Sequence, residues 1–183
     1  MRWLKFFLLL LLLPLGACAL NSVSSYPTEH RGPYTLDAGD VLRVGVYGDE
    51  SLSKTYKVDD AGTLAFPLVG IIKVRGLTTP QAAAAIAAAL ANGFMRNPNV
   101  SVEIDTYRPF FIQGAVKSSG QFAYVPGMTV RAAVSTAGGY SDTANRNRVT
   151  VYRSEGGQVD KADVDLDFPV EPGDTIVVAE RWL

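Results

Sequence analysis

An α+β fold is predicted by the stretch of residues 34–90, in which several strand-like runs come in succession before one helix. Residues 42–47 alternate mostly apolar with small or polar side chains, which is typical of a half-buried strand. Residues 37–40 and 59–62 are rich in Asp and Gly, which favour turns between strands. We therefore expect strands at residues 42–47, 56–58, 63–66 and 71–74.

The helix that follows is predicted from its ends and from its apolar spacing. Thr78 and Gln81 have capping-box spacing, and Pro80 falls in the first turn, where its missing N–H is harmless. The pair Asn92-Gly93 predicts the end of the helix. The core-facing residues lie four apart, and they are Ala82, Ile86 and Leu90.

A second unit is predicted beyond this helix. Strands are expected at residues 100–104, 110–115, 120–124, 147–153 and 175–178. A short helix is expected at residues 130–137, capped by Thr129 and stopped by Gly138-Gly139. Residues 170–178 repeat the design of residues 36–44, in which a Gly-Asp turn leads into an apolar strand.

The first unit resembles the polysaccharide-export domain of outer-membrane polysaccharide export lipoproteins. The residues that carry the resemblance, in order, are Tyr34, Leu36, Gly39-Asp40-Val41-Leu42, Val58, Gly62, Phe66-Pro67, Gly70, Val74 and Gly76-Leu77-Thr78. The second unit resembles the SLBB module, a ubiquitin-like β-grasp fold, through Gly114, Pro126-Gly127, Thr129-Val130, Ala137-Gly138-Gly139-Tyr140, Ala144 and residues 149–153. It departs from that module at Ala115, where an acidic residue is common, and at Ser119-Gly120, where Pro-Gly is common.

The first 33 residues predict a lipoprotein leader and a linker. Residues 1–5 are cationic, residues 6–13 are almost all leucine, and Leu15-Gly16-Ala17-Cys18 resembles a lipobox. We therefore predict a signal peptide at 1–17, lipid attachment at Cys18 and a polar linker at 18–33. The polysaccharide-export domain is predicted at 34–107 and the SLBB domain, with its closing Pro-Gly-Asp strand, at 108–183. A soluble secreted protein with an incidental cysteine is the alternative.

Composition excludes several classes of site. The net charge of −1 argues against a nucleic-acid binder, which needs a basic face. Cys18 is the only cysteine and His30 the only histidine, so an internal disulfide, a Ser-His-Asp triad or a His-rich metal site is excluded or incomplete. The sequence predicts no cofactor, no metal and no enzyme. The adjacent acids Asp49-Glu50 and Asp59-Asp60 are conceivable acid/base pairs, but both lie where turn chemistry explains them.

The candidate glycan-facing residues are Tyr140, Arg146 and Arg148, with Arg153 close in sequence. Arginine and tyrosine side chains together are suited to an anionic glycan. A solvated loop or a salt bridge between subunits is the alternative interpretation.

The resemblance implies a role in polysaccharide export, as a lipid-anchored ring of identical subunits in the periplasm. It also implies an inner-membrane polysaccharide co-polymerase as partner. Only five residues follow the strand at 175–178, too few for a membrane-spanning helix, so we expect a separate outer-membrane channel protein such as a β-barrel. A glycan-binding outer-membrane lipoprotein without a conduit role is the alternative.

Overall fold

The structure, a computed structural model, describes residues 32–155 and 157–181. The predicted signal peptide, Cys18 and the linker as far as residue 31 lie outside the described residues. The described strands are β1 (Val41–Val46), β2 (Asp49–Lys57), β3 (Thr63–Phe66), β4 (Gly70–Lys73), β5 (Val100–Thr106), β6 (Phe110–Gly114), β7 (Gly120–Phe122), β8 (Ala144–Glu155), β9 (Gln158–Val164) and β10 (Thr175–Glu180). The described helices are α1 (Thr79–Ala91) and α2 (Val130–Thr136). Strands and helices are segregated along the chain, so the predicted α+β class is confirmed.

The first half combines a three-stranded sheet, a hairpin and a helix. The antiparallel sheet has the order β2-β1-β5, and β3 and β4 form a separate antiparallel hairpin. Apolar side chains from the sheet, the hairpin and α1 meet in one buried cluster that includes Leu42, Val44, Leu64 and Phe66. The three residues predicted to form the core face of α1, Ala82, Ile86 and Leu90, are all fully buried in this cluster.

The ends of α1 are formed as the sequence predicts. The Gln81 amide donates to the Thr78 hydroxyl at 3.5 Å, and the Thr78 amide donates to the Gln81 side chain at 2.9 Å, which completes the capping box. Pro80 lies in the first turn. Gly93 takes a left-handed conformation with φ of 94° just after the C-cap residue Asn92, as expected for a helix stop.

Thr129 occupies the N-cap position of α2 but makes no side-chain capping bond, so the predicted role of its hydroxyl is wrong.

The difference between the two N-cap threonines, of which only Thr78 makes a capping bond, gives a testable prediction. Thr78→Ala is expected to lower the free energy of unfolding by about 0.5–2 kcal/mol, because an amide of α1 loses its acceptor. Thr129→Ala, its control, is expected to change it by less than about 0.5 kcal/mol. Urea denaturation of both variants tests this, and equal losses would contradict it.

The second half is a five-stranded mixed sheet that packs on α2. Its order is β7-β6-β10-β8-β9, with β6 and β10 parallel and the other neighbours antiparallel. A hairpin at one side, a helix crossing one face and a final strand inserted parallel to the first form the β-grasp arrangement that the sequence predicts. Buried side chains such as Phe110, Val134, Val149 and Ile176 form a second cluster that shares no residue with the first.

Two strands differ most from the sequence prediction. β2 begins at Asp49, seven residues earlier than expected, because its central residues carry exposed polar side chains that give no apolar signal. β9 was not predicted, because six of its seven residues are exposed and the strand therefore shows no alternation of buried and exposed positions. Neither α1 nor α2, the helices of residues 32–155 and 157–181, has the length and apolar character needed to cross a membrane.

Candidate functional site

The two Gly-Asp turns predicted to repeat one another have the same internal geometry. In the first, the amide of Asp37 donates to Asp40 Oδ2 at 2.9 Å. In the second, the amide of Glu171 donates to Asp174 Oδ2 at 2.7 Å. In each turn the aspartate carboxylate therefore accepts the backbone amide of the residue three positions earlier, and this bond closes the turn. Both carboxylates are buried. The prediction that Asp40 accepts backbone N–H bonds is confirmed.

Asp40 also connects the two halves of the chain. Its carboxylate accepts bonds from the amide of Arg108 at 2.9 Å and from the hydroxyl of Tyr34 at 2.8 and 2.9 Å. Arg108 Nη1 lies 3.4 Å from the carboxylate and donates to the Tyr34 hydroxyl at 2.6 Å. Asp40 belongs to the first half and Arg108 to the second, so this group fixes one half to the other.

The Arg108 side chain runs between the two Gly-Asp turns. A Cβ placed on Gly39 would lie 3.3 Å from Arg108 Cβ, and one placed on Gly173 would lie 2.9 Å from Arg108 Nε. Both glycines also have positive φ, 94° and 90°. Glycine is therefore required at both turns by the backbone conformation, and at Gly173 by the close approach of Arg108 as well.

Three tyrosines continue this junction. The rings of Tyr34 and Tyr107 are 5.1 Å apart and those of Tyr107 and Tyr124 are 5.4 Å apart, both edge to face. Burial raises the pKa of the Tyr34 hydroxyl far above its ordinary value, against the opposing effect of Arg108. Tyr34 therefore keeps its proton and remains a donor to Asp40 at any physiological pH.

An arginine also pairs with the buried aspartate of the second turn, and it is Arg153. Its guanidinium donates to Asp174 through Nε at 2.9 Å and through Nη2 at 2.7 Å, and to Glu171 at 2.7 Å. Although Arg153 is close in sequence to the candidate glycan-facing residues, its bonds stabilise the closing turn.

The candidate residues Tyr140, Arg146 and Arg148 lie near the start of β8 but do not act as one group. The Arg146 guanidinium lies over the Tyr140 ring, 5.7 Å from its centroid. Arg148 instead faces Asp163 on the neighbouring strand β9, at 3.6 Å. The Tyr140 hydroxyl is buried without a hydrogen-bond partner among the described residues, and burial raises its pKa.

A cleft opens beside Arg146. Polar residues of the turn before β8 and of the first residues of β8 line it together with Arg181, namely Ser141, Asp142, Asn145, Arg146 and Asn147. The amide of Arg181 donates to the Thr143 carbonyl at 2.7 Å, and its guanidinium donates to the Asp142 carbonyl at 3.1 Å. Sequence reasoning missed Arg181 because only the pairing of β10 with β8 brings it to this turn, and no local motif indicates that pairing.

The first aspartate of each acidic pair considered for catalysis stabilises a turn or a strand end. Asp49 accepts bonds from the amides of Ser51 and Leu52, and Asp59 from the amide and hydroxyl of Thr63. The hydroxyls of Ser51 and Thr63 chiefly hold the pKa of each aspartate below its ordinary value. A general acid needs a raised pKa, so the lowered pKa of Asp49 and of Asp59 opposes that role for these two residues. In the described parts of the chain, no three His, Cys, Asp or Glu side chains converge as a metal site would require.

Comparison with known families agrees with this architecture. Residues 28–105 match the family described as polysaccharide biosynthesis/export protein, and residues 108–178 match the SLBB domain. The chain belongs to the polysaccharide export family. The second matched region begins at Arg108, the residue whose bond to Asp40 joins the two halves.

Three curated relatives illustrate the similarity. The chain is 35% identical over 146 residues to the exopolysaccharide production protein ExoF of Rhizobium meliloti, covering 73% of this chain and 35% of ExoF. It is 30% identical over 149 residues to the EPS I polysaccharide export outer membrane protein EpsA of Ralstonia solanacearum, covering 66% of this chain and 39% of EpsA. It is 26% identical over 160 residues to the polysialic acid transport protein KpsD of Escherichia coli, covering 81% of this chain and 28% of KpsD. The chain therefore spans about a third of the length of these relatives.

Proposed function

We propose that this protein takes part in exporting a polysaccharide across the periplasm and outer membrane, as one subunit of a lipid-anchored periplasmic ring. The observation that carries the proposal is the presence of the two matched domains in this order in one chain. The relatives that share sequence with this chain are named for polysaccharide production, export or transport. In this proposal residues 34–107 act as the export domain and residues 108–183 as the β-grasp domain.

The junction supports such a role. A ring subunit must hold a fixed angle between its domains, since heterologous contacts close only if every subunit repeats the same rotation. The buried Asp40, the Arg108 guanidinium and the Tyr34 hydroxyl supply a rigid connection of this kind. Side chains available for contacts between subunits include the exposed apolar Tyr47, Leu68, Ile71 and Val159.

The anchor and the partners belong to the same proposal. Cys18 would carry the lipid that tethers the ring to the outer membrane, facing the periplasm. An inner-membrane polysaccharide co-polymerase would contact the ring from the inner-membrane side, and a separate outer-membrane channel protein would receive the polymer. The protein itself would be a transport component without catalytic activity.

Secretion by a strain that lacks the gene tests the proposal. The wild-type chain is expected to restore extracellular polysaccharide, measured as uronate plus neutral sugar in the medium, to its original level. Cys18→Ser is expected to restore less than about a tenth, because an unanchored subunit is displaced from the outer membrane. Immunoblots of membrane and soluble fractions control for expression. Unchanged secretion in the deletion strain would refute the export role.

Electron microscopy of the purified lipidated protein tests the ring. A closed oligomer of uniform size is expected, and reconstitution alone into planar bilayers is expected to give no discrete conductance. A monomer at high concentration that still binds glycan would favour the glycan-binding lipoprotein, and conductance from this chain alone would remove the need for a separate channel protein.

A further inference from the structure

Two arginines without carboxylate partners lie in the same cleft. Among the residues that the structure describes, the arginines paired with an acidic side chain are Arg43, Arg75, Arg108, Arg131, Arg148 and Arg153. Arg146 and Arg181 have no such ion pair within residues 32–155 and 157–181, and both line the cleft at the start of β8. Two positive charges that converge on one concave surface, against the single acidic residue Asp142 in its lining, indicate a site for an anion.

Both side chains are already oriented. The Tyr140 ring supports the Arg146 guanidinium from one side at 5.7 Å. The Arg181 guanidinium is fixed by its bond to the Asp142 carbonyl at 3.1 Å, which uses one of its five N–H donors. Groups held in place before a ligand arrives lose less entropy on binding, so the cleft is preorganised on its cationic side.

The remaining lining suits a sugar rather than a bare ion. Ser141 supplies a hydroxyl, and Asn145 and Asn147 supply amide groups that donate and accept hydrogen bonds. The side-chain oxygen Oδ1 of Asn145 accepts the backbone amide of Asn147 at 3.1 Å, which leaves the side-chain NH₂ group of Asn145 for a ligand. Asp142, the one acidic residue of the lining, can accept bonds from sugar hydroxyls and opposes ligands of high negative charge.

We propose that this cleft binds a carboxylate-bearing sugar unit of an acidic polysaccharide, with the carboxylate between Arg146 and Arg181. The planar guanidinium fork matches a carboxylate with two parallel hydrogen bonds, and the neighbouring polar side chains receive the ring hydroxyls. This assignment rests on the proposed export function and specifies the class of polymer. It replaces Arg148, which faces Asp163, with Arg181.

Calorimetric titration of the full-length lipidated protein in mild detergent tests the assignment. The probes are a galacturonic acid hexasaccharide and, as the neutral probe of equal length, maltohexaose. We expect the acidic probe to bind and the neutral one to bind at least about tenfold more weakly. Arg146→Gln and Arg181→Gln are each expected to weaken binding of the acidic probe by about tenfold to a hundredfold, the effect of a lost charge-assisted hydrogen bond.

Arg148→Gln is the matched control, because it removes the same charge two residues from Arg146 but outside the cleft. It is expected to change the affinity by less than about twofold, and Asp142→Asn to leave it equal or higher. Because Arg146 is exposed, its replacement should not alter thermal unfolding. Equal binding of the two probes, or an equal loss in Arg146→Gln and Arg148→Gln, would overturn the assignment.

Two further results separate this inference from its alternatives. Binding to phosphatidylglycerol vesicles that depends on Arg146 and displaces the acidic probe would assign the cleft to lipid headgroups instead. If the wild-type chain restores secretion in the deletion strain but binds no acidic probe, only the inference fails. If it binds the probe but restores nothing, the export proposal fails and the glycan site stands.

Discussion

Asp40→Ala is expected to lower the free energy of unfolding by about 3–5 kcal/mol, the cost of removing one partner from a buried ion pair. The carboxylate is fully buried and accepts bonds from the amides of Asp37 and Arg108 and from the hydroxyl of Tyr34. Its loss leaves these donors without their acceptor and the Arg108 guanidinium without its carboxylate at the junction between the two halves. Urea denaturation followed by circular dichroism measures the change.

Asp167→Ala is the matched control. Asp167 also accepts a guanidinium, that of Arg131 at 2.8 Å, but the two side chains are 68% and 59% exposed. An exposed pair contributes about 0–1 kcal/mol, so this variant should remain close to the wild type. If Asp40→Ala costs no more than Asp167→Ala, the junction is not held by the buried carboxylate. A broadened or two-step transition in Asp40→Ala would indicate that the halves then unfold separately.

Gly114→Ala is expected to prevent the correct pairing of β6 with β10 and to cost more than about 3 kcal/mol, as severe core disruptions do. A Cβ at this position would lie 2.2 Å from the Val178 carbonyl oxygen, and φ is already 91°. That oxygen accepts the Ala115 amide at 2.9 Å, so moving it aside breaks a contact of the central strand. Hydrogen exchange of the β10 amides should accelerate along with the loss of stability.

Gly139→Ala separates the two causes in that prediction. Gly139 has φ of 90°, almost that of Gly114, but a Cβ there meets no atom within 4 Å. Its replacement should cost only the backbone strain, about 1–2 kcal/mol. The difference between the two variants measures the clash with Val178. Equal losses of stability in the two variants would show that β6 and β10 move apart easily at Gly114.

The sequence determined the local features of this protein, because each depends on residues close together in the chain. The capping box of α1 needs Thr78 and Gln81, three residues apart, and the core face of α1 needs only a spacing of four. The two Gly-Asp turns close on themselves through bonds between residues three apart. These features predicted the α+β class, and the order of the motifs that resemble the two families predicted both domains.

The tertiary structure alone decided which charged groups meet. Asp40 and Arg108 are 68 residues apart, so no local pattern shows that the carboxylate is buried against that particular arginine. Arg148 and Arg146 are equivalent in sequence, yet pairing with β9, a strand without an apolar pattern, gives Asp163 to one of them only. Arg181 reaches the cleft because β10 is inserted beside β8. Periodicity and turn chemistry act over a few residues, whereas these partners are set by the order and register of strands distant in sequence.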